Sequence, residues 1–358
     1  MITVIYPYRN RDLERVRRSL DSLQIQTDIR FKVVLVDYGS DQITARAVQE
    51  LAKQYAFVEY HYLFTTDQPW SRSIALNYAI RKADTDYCFM ADIDMIFAPD
   101  FMAFANQHAR LDEGMYFPVG FLSEAESTRK KSFDQYVLKF SSSSEAAGMS
   151  LFPTAKLHQI RGYDQFFHFW GSEDNDIHNR LKQLGCPIRF CDDKIRMLHQ
   201  WHPNFRQTES ALLKQELQLS GVAELNQEHF RFNQQRQFTT VNSENWGIVI
   251  DEKDYNFLRE LPVQKITNRK SAIDHLIFGQ LPQLKDGETL SVCIEEEPLY
   301  NSFKYKLKKI LGKKVPDYYT LKESNDLLLR HIVTQYAHLP YTYRIRENLS
   351  GIEFKIKK

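Results

Sequence analysis

No apolar run in this 358-residue chain is long enough to span a bilayer, which excludes a protein that crosses a membrane on helices. The amino end, MITVIYPYRN, holds only a few apolar residues before charge begins, so it is expected to be neither a secretory signal nor a membrane anchor. Net charge is nearly absent as well. With 47 Lys+Arg against 46 Asp+Glu the formal balance is +1, so no global field favours nucleic acid and any basic surface must be local. Cysteine is scarce: Cys88, Cys186, Cys191 and Cys293 stand apart, without CxxC or Cys/His metal spacing. That excludes a disulfide framework and points to free thiols in a reducing cytoplasm. What is present is ordinary, with 43% hydrophobic and 26% charged residues, the profile of a globular protein with room for one large domain or two moderate ones.

The organising signal is periodicity. Residues 2–6 (ITVIY) and 32–36 (KVVLV) are β-branched runs, and between them Leu13, Val16, Leu20 and Leu23 recur at helical spacing. A helix over 41–54, a strand over 57–63, a helix over 71–83 and a strand over 86–91 continue the alternation up to Asp92. The expectation is a Rossmann-like α/β fold with a mostly parallel central sheet, whose ligand sits beyond the carboxyl ends of the strands. A polar stretch at 123–146 is too long for a tight connection and reads as a loop or lid. A helix follows from Glu173, with Ile177, Leu181 and Leu184 as its apolar stripe. Beyond 240 the rhythm is lost, so the expected division is a catalytic domain at 1–240 and a smaller, mainly helical extension at 241–358.

Three constellations carry chemistry. In ADIDMIF (91–97), Asp92 and Asp94 flank Ile93 at a strand end; on an extended segment both carboxylates would point one way, towards one hard cation. In FWGSEDNDIHNRL (169–181), Glu173 to Asp176 open a helix with Ser172 as its N-cap, where the dipole alone favours acids. Trp170 beside them offers a flat apolar face for a sugar ring, and a neighbouring carboxylate could take a proton from an attacking hydroxyl. In MLHQWHP (197–203), His199 and His202 lie three apart, either as structural histidines or as further ligands beside the acidic pair.

Together these segments resemble the inverting glycosyltransferases of the A-type fold, especially β-1,4-galactosyltransferases and the catalytic domains of bacterial chondroitin polymerases, over about residues 1–205. YPYRNR is similar to that family's nucleotide-binding PFRNR, which implies nucleotide-sugar contacts at Pro7, Tyr8, Arg9 and Arg11. Asp37 in LVDYGS resembles the next nucleotide contact, Arg72 in WSRSIALN the diphosphate neighbour, and Asp92–Ile93–Asp94 the family's DVD. FHFWGSEDND is similar to WGWGGEDDD, which implies Trp170 on the acceptor side, Glu173 on the sugar and Asp174 as catalytic base. Asn175 departs from the family's third acid. Asp94 and a histidine, with His199 preferred over His202, would hold Mn2+ or Mg2+. The implied reaction moves a galactose- or N-acetylhexosamine-type sugar from a UDP-sugar to a glycan or lipid-linked glycan, in bacterial surface polysaccharide synthesis. A non-catalytic nucleotide- or glycan-binding protein on the same fold and a glycoside hydrolase are the alternatives.

One segment lies outside the resemblance. In KYKLKKILGKK (304–314), Lys304, Lys306, Lys308, Lys309, Lys313 and Lys314 alternate with apolar residues, and Leu307, Ile310 and Leu311 share one helical face. Two readings stand: a helix packing those three residues on its own domain, or a basic amphipathic helix resting on an anionic membrane at the cytoplasmic face.

Overall fold

The computed structural model describes residues 1–203, 210–300 and 302–358. They fall into two compact units, the first from residues 1–66, the described part of 71–205, and 223–248, the second from 67–70, the described part of 206–222, and 249–358.

The first unit opens as the periodicity predicts. β1 (Ile2–Tyr8), α1 (Leu13–Gln24), β2 (Phe31–Asp37), α2 (Gln42–Ala52), β3 (Val58–Tyr62), α3 (Arg72–Lys82) and β4 (Tyr87–Met90) alternate. The three helices start at side-chain caps: Asp12 accepts from the Arg15 N–H, Asp41 from Ile43 and Thr44, and Ser71 from Ile74, each satisfying donors the first turn leaves over. β1 is buried along its whole length because helices cover both faces of the sheet. On α1 the spaced apolar residues Val16, Leu20 and Leu23 are the buried face.

The unit continues through β5 (Met95–Phe97), α4 (Phe101–His108), β6 (Gly114–Tyr116), β7 (Gly120–Leu122), α5 (Glu124–Ser127), β8 (Leu138–Ser141), β9 (Ser150–Pro153), α6 (Thr154–Gln159), α7 (Glu173–Gln183), β10 (Ile188–Phe190), β11 (Met197–His199) and α8 (Val222–Arg236). The central sheet runs β10-β6-β9-β4-β1-β2-β3. Only β9 is antiparallel to its neighbours, so the sheet is mostly parallel, as expected. A smaller sheet, β5-β11-β7-β8, builds the edge that carries the site. Beneath it Phe89, Phe97, Phe101 and Phe117 interlock, with ring centroids 5.0 Å apart for Phe89–Phe101 and 5.2 Å for Phe101–Phe117.

The polar stretch at 123–146 corrects its reading as a plain loop. It holds α5 and β8, and β8 pairs antiparallel with β7. The Arg18 guanidinium donates to the carbonyls of Ser127 and Arg129 and to the Tyr136 hydroxyl, while Phe140 stacks on Phe121 at 4.6 Å. Long-range partners, invisible to local composition, supply the order.

In the second unit helices hold more residues than strands, and the structure adds a mixed sheet that the sequence reading lacks. Its strands are β12 (Gln264–Thr267), β13 (Thr289–Glu295), β14 (Tyr341–Ile345) and β15 (Gly351–Lys357), in the order β12-β13-β15-β14. β13 and β15 pair antiparallel from Thr289↔Lys357 to Glu295↔Gly351. Thr320 and Glu323 form a capping box on the helix Leu321–His331. Among the described residues no helix is long and apolar enough to cross a membrane.

Candidate active site and metal centre

The segment after β4 does not stay extended. A turn closes with the Met95 N–H on the Asp92 carbonyl, and the two carboxylates of ADID take different partners. This corrects the expectation that Asp92 and Asp94 converge on one point, because side chains two apart share a direction only along a strand. Asp94 is buried and faces the two histidines, whereas Asp92 is half-exposed and faces Arg72.

Ladder register explains why Asp94 meets the histidines. β5 and β11 pair antiparallel with His199 opposite Met95, and the Gln200 N–H extends the ladder to the Asp94 carbonyl. His199 Nε2 lies 3.7 Å from Asp94 Oδ1 and His202 Nε2 lies 3.1 Å from Asp94 Oδ2. One donor atom from each of the three residues falls within 4.8 Å of the others, so both histidines, rather than His199 alone, stand beside the carboxylate. Burial works against ionising Asp94, yet the His202 hydrogen bond and the nearby charges of His199 and Arg11 outweigh it and hold the carboxyl below its usual range. Asp94 Oδ1 is buried without a hydrogen-bond partner. An orphaned anionic oxygen between two imidazoles fits a divalent cation, whose bond would replace the missing hydrogen bond.

Asp92 leads to the second cluster. The Arg72 side chain, at the start of α3, donates through Nε to Asp92 Oδ1 (3.3 Å), through Nη1 to Asp174 Oδ1 (2.8 Å) and through Nη2 to the Gly148 carbonyl (3.3 Å). One guanidinium thus joins the strand end to the N-terminus of α7, from parts of the chain about a hundred residues apart. Burial raises the Asp174 pKa, Arg72 pulls it back, and the Asp92 charge adds to the rise. Glu173 is pushed up to about 7 by burial and by the Asp174 charge, and its carboxylate accepts from the Gly171 N–H at 3.1 Å. Two carboxylates side by side, one of them titrating near neutrality, can accept or hold a proton.

The entry to α7 is backbone-driven. Phe169, Gly171 and Ser172 all have positive φ, at 62°, 110° and 72°. Ser172 occupies the N-cap position but does not cap, a correction to its expected role: in this left-handed conformation its hydroxyl donates to Gln227 instead. The Trp170 indole stands partly exposed, while its carbonyl and that of His168 accept from Asn226 on α8.

Behind the acids lies a buried polar spine absent from the sequence reading. Arg180 on α7 donates to Asp176 Oδ2 at 2.7 Å, and both side chains are fully buried. Asn233 on α8 bridges Asp176 Oδ1 (3.0 Å) and Asp164 Oδ2 (2.9 Å), and His229 meets the same Asp164 oxygen at 2.8 Å. These contacts fix α7 to α8 and hold the helix whose first turn presents Glu173 and Asp174. The buried phenol of Tyr163 was also missed; burial, then the Asp174 charge, raises its pKa far above the usual value.

The residues read as nucleotide contacts gather at the carboxyl ends of β1 and β2. Pro7 and Tyr8 end β1 buried, and the Tyr8 hydroxyl donates to the Arg11 carbonyl. Arg9 donates to the carbonyls of Thr65 and Thr66, and Gly39 with φ +73° lies so close to Thr66 that an added Cβ would meet its backbone nitrogen at 2.2 Å. Asn10, which no sequence motif singles out, receives a bond from the Asp41 N–H and gives its own N–H to Ser40, locking the two loops together. Asp37 is fully buried: Ser40 N–H and the Tyr60 hydroxyl, each at 2.8 Å, occupy its oxygens, and burial raises its pKa. Tyr60 had no local signal. Arg11 is exposed, and its charge reaches Asp94.

Comparison with known proteins adds a class to this geometry. The model described as "Glycosyl transferase family 2" matches residues 3–161, and the one described as "N-terminal domain of galactosyltransferase" matches residues 128–202. Solved structures similar in shape include the mannosyltransferase PcManGT from Pyrobaculum calidifontis in complex with GDP-Man and Mn2+ (20% identity, TM-score 0.41, covering 56% of each chain). Others are S. aureus TarS (15%, 0.43, 93% of this chain and 55% of that one) and GalNAc-T7 with UDP, GalNAc and Mn2+ (14%, 0.42, 59% and 46%). The chain spans about half the length of each, and at this distance none lends it a residue role. The two family matches overlap, and between them they run from β1 to the second histidine. Residues 3–202 thus match glycosyltransferase family models across the strands and helices that carry the site.

Proposed function

We propose that this chain is a glycosyltransferase of the A-type fold that moves a galactose- or N-acetylhexosamine-type sugar from a UDP-sugar to a hydroxyl of a glycan or lipid-linked glycan, with inversion and with a divalent cation. The observation that carries the reading is the Arg72 bridge from Asp92 to Asp174, which puts the cation-side strand end and the acids of α7 into one site. The galactosyltransferase match supports the donor class, since residues 128–202 contain Trp170, Glu173, Asp174, His199 and His202.

In this reading Asp174 takes the proton of the acceptor hydroxyl as its oxygen bonds to the anomeric carbon and UDP departs from the opposite face. Arg72, freed from Asp174 when a diphosphate arrives, neutralises the leaving group, so donor binding unmasks the base. Glu173 holds a donor-sugar hydroxyl and Trp170 stacks on the acceptor ring. Pro7, Tyr8, Arg9, Arg11 and Asp37 shape the nucleotide pocket. Asp94, His199 and His202 would hold the cation, which supplies positive charge at the diphosphate. Two imidazoles suit Mn2+ better than Mg2+, which prefers oxygen. We assign catalysis to residues 1–240, an accessory role to 241–358, and the work to cytoplasmic synthesis of a bacterial surface polysaccharide.

The test is UDP release from UDP-galactose, UDP-GalNAc, UDP-GlcNAc and UDP-glucuronic acid, with and without Mn2+, using slow hydrolysis so that no acceptor is needed. One donor should turn over with Mn2+ and stop in EDTA, and Asp94→Ala should lose metal-dependent UDP binding. Undiminished turnover in excess chelator would remove the cation. Tight UDP-sugar binding with no turnover under any condition would remove the catalytic assignment.

A further inference from the structure

The segment 302–314 presents an apolar stripe that the fold leaves uncovered. Its helix, Phe303–Ile310, starts at Ser302, whose hydroxyl accepts from the Tyr305 N–H. Tyr305 is the residue this helix buries: its ring lies 5.4 Å from Tyr318 and its hydroxyl donates to the Pro316 carbonyl. The opposite face carries Phe303, Leu307, Ile310 and Leu311, at i, i+4, i+7 and i+8. All four are exposed, Phe303 and Ile310 at 80% and 82%. So Leu307, Ile310 and Leu311 do not pack on their own domain, and of the two readings of this segment that one is overturned.

Lysines flank the stripe. Lys304 and Lys308 lie along one side and Lys306 and Lys309 along the other, with Lys313 and Lys314 just beyond. None of the six makes an ion pair with another described residue, and no acid interrupts 302–316, in a chain whose net charge is only +1. Uncompensated cations bordering large exposed apolar side chains need an occupant that is negative at its surface and oily beneath it. A soluble polyanion would satisfy the lysines and leave Phe303 and Ile310 in water. A second copy of the same helix would cover the apolar residues but set six cations against six. An anionic bilayer meets both demands, with the apolar side chains entering the acyl boundary and the ammonium groups among the lipid headgroups.

We propose that residues 302–314 dock this protein on an anionic lipid surface. The inference stands apart from the donor and the metal, and its test needs no turnover. The full chain is mixed with vesicles of phosphatidylcholine alone or with phosphatidylglycerol added, and bound protein is measured by cosedimentation. Binding should require the anionic lipid and fall as salt rises. Changing Lys308, Lys309, Lys313 and Lys314 to Gln should weaken it by nearly three orders of magnitude at low salt, since each surface lysine is worth about fivefold. The pair Phe303→Ser and Ile310→Ser should weaken it at least about tenfold; both positions are exposed, so folding should survive, and unchanged thermal melting checks this. Equal binding to both vesicle types, or none to either, would overturn the proposal. So would vesicle binding that the serine pair leaves unchanged while heparin abolishes it, which would point to a soluble polyanion.

Discussion

Two arginine–aspartate pairs meet α7 of this protein, made of the same groups in opposite settings. Arg180 and Asp176 are sealed, four residues apart on α7, with Asn233 and the carbonyls of Ile160 and Thr239 around them. Arg72 and Asp174 are joined across the chain, and Asp92, on the other side of the same guanidinium, opens to solvent. The sealed pair is not perfectly satisfied, since Arg180 Nη2 is buried without a partner. A buried ion pair gives little net stability but cannot lose one member cheaply; an accessible one can exchange partners with an arriving anion. Burial, rather than residue type, separates the pair that holds α7 from the pair able to work at its end.

The largest expected effect breaks the sealed pair. Arg180→Ala leaves Asp176 buried, negative and close to Asp164, and should lower unfolding free energy by about 3–5 kcal/mol in chemical denaturation. A loss below about 1 kcal/mol would mean that water or relaxation replaces the guanidinium and that the spine does not fix α7. Next comes the open pair. Asp174→Asn keeps the shape and donor affinity but should cut the transfer rate by roughly 10²–10⁴, with little change in stability. Transfer at the parental rate would reduce Asp174 to a helix-terminus acid and leave Glu173 as the better base.

The smallest effect sharpens the contrast through pH. Glu173 is raised to about 7 in the folded chain, so between its unfolded value and 7 the folded state binds more protons than the unfolded state. Its contribution to stability is therefore full at acid pH and declines as pH rises through that window. Glu173→Gln should relieve this by on the order of 1–3 kcal/mol above pH 7, read as a higher melting temperature that disappears near pH 4. The same substitution should move the acid limb of the rate profile to lower pH. A melting temperature with the same pH dependence in both proteins would mean that Glu173 is already ionised at the site.

The sequence made much of the first unit readable, because each β-α-β step is local: Val16, Leu20 and Leu23 announce their helix between two β-branched runs. The histidine pair and Asp94 were readable as residue types, but their meeting depends on the register of β5 against β11. Arg72 was visible as a diphosphate neighbour and not as the partner of Asp174, since nothing in the spacing of positions 72 and 174 encodes contact. Asp37 shows the same gap, its carboxylate taken up by Tyr60 on a neighbouring strand. The sheet of the second unit was missed because β13 and β15 find each other across a long separation, and their buried runs lack clean alternation.

The turn into α7 also sets limits on how this protein could be re-engineered. Nothing lies within 4 Å of a side chain added at Gly171, so room is not what keeps glycine there; handedness is. With φ of 110° the position asks for the mirror-image torsion, and an L-residue would rotate the chain between Trp170 and Glu173 even though it meets no neighbour. A D-alanine, introduced by chemical ligation, should be accepted where L-alanine is not. Asn226 holds the carbonyl of Trp170 as well as that of His168, so the turn is tied to α8 through its backbone, whichever side chain position 170 carries.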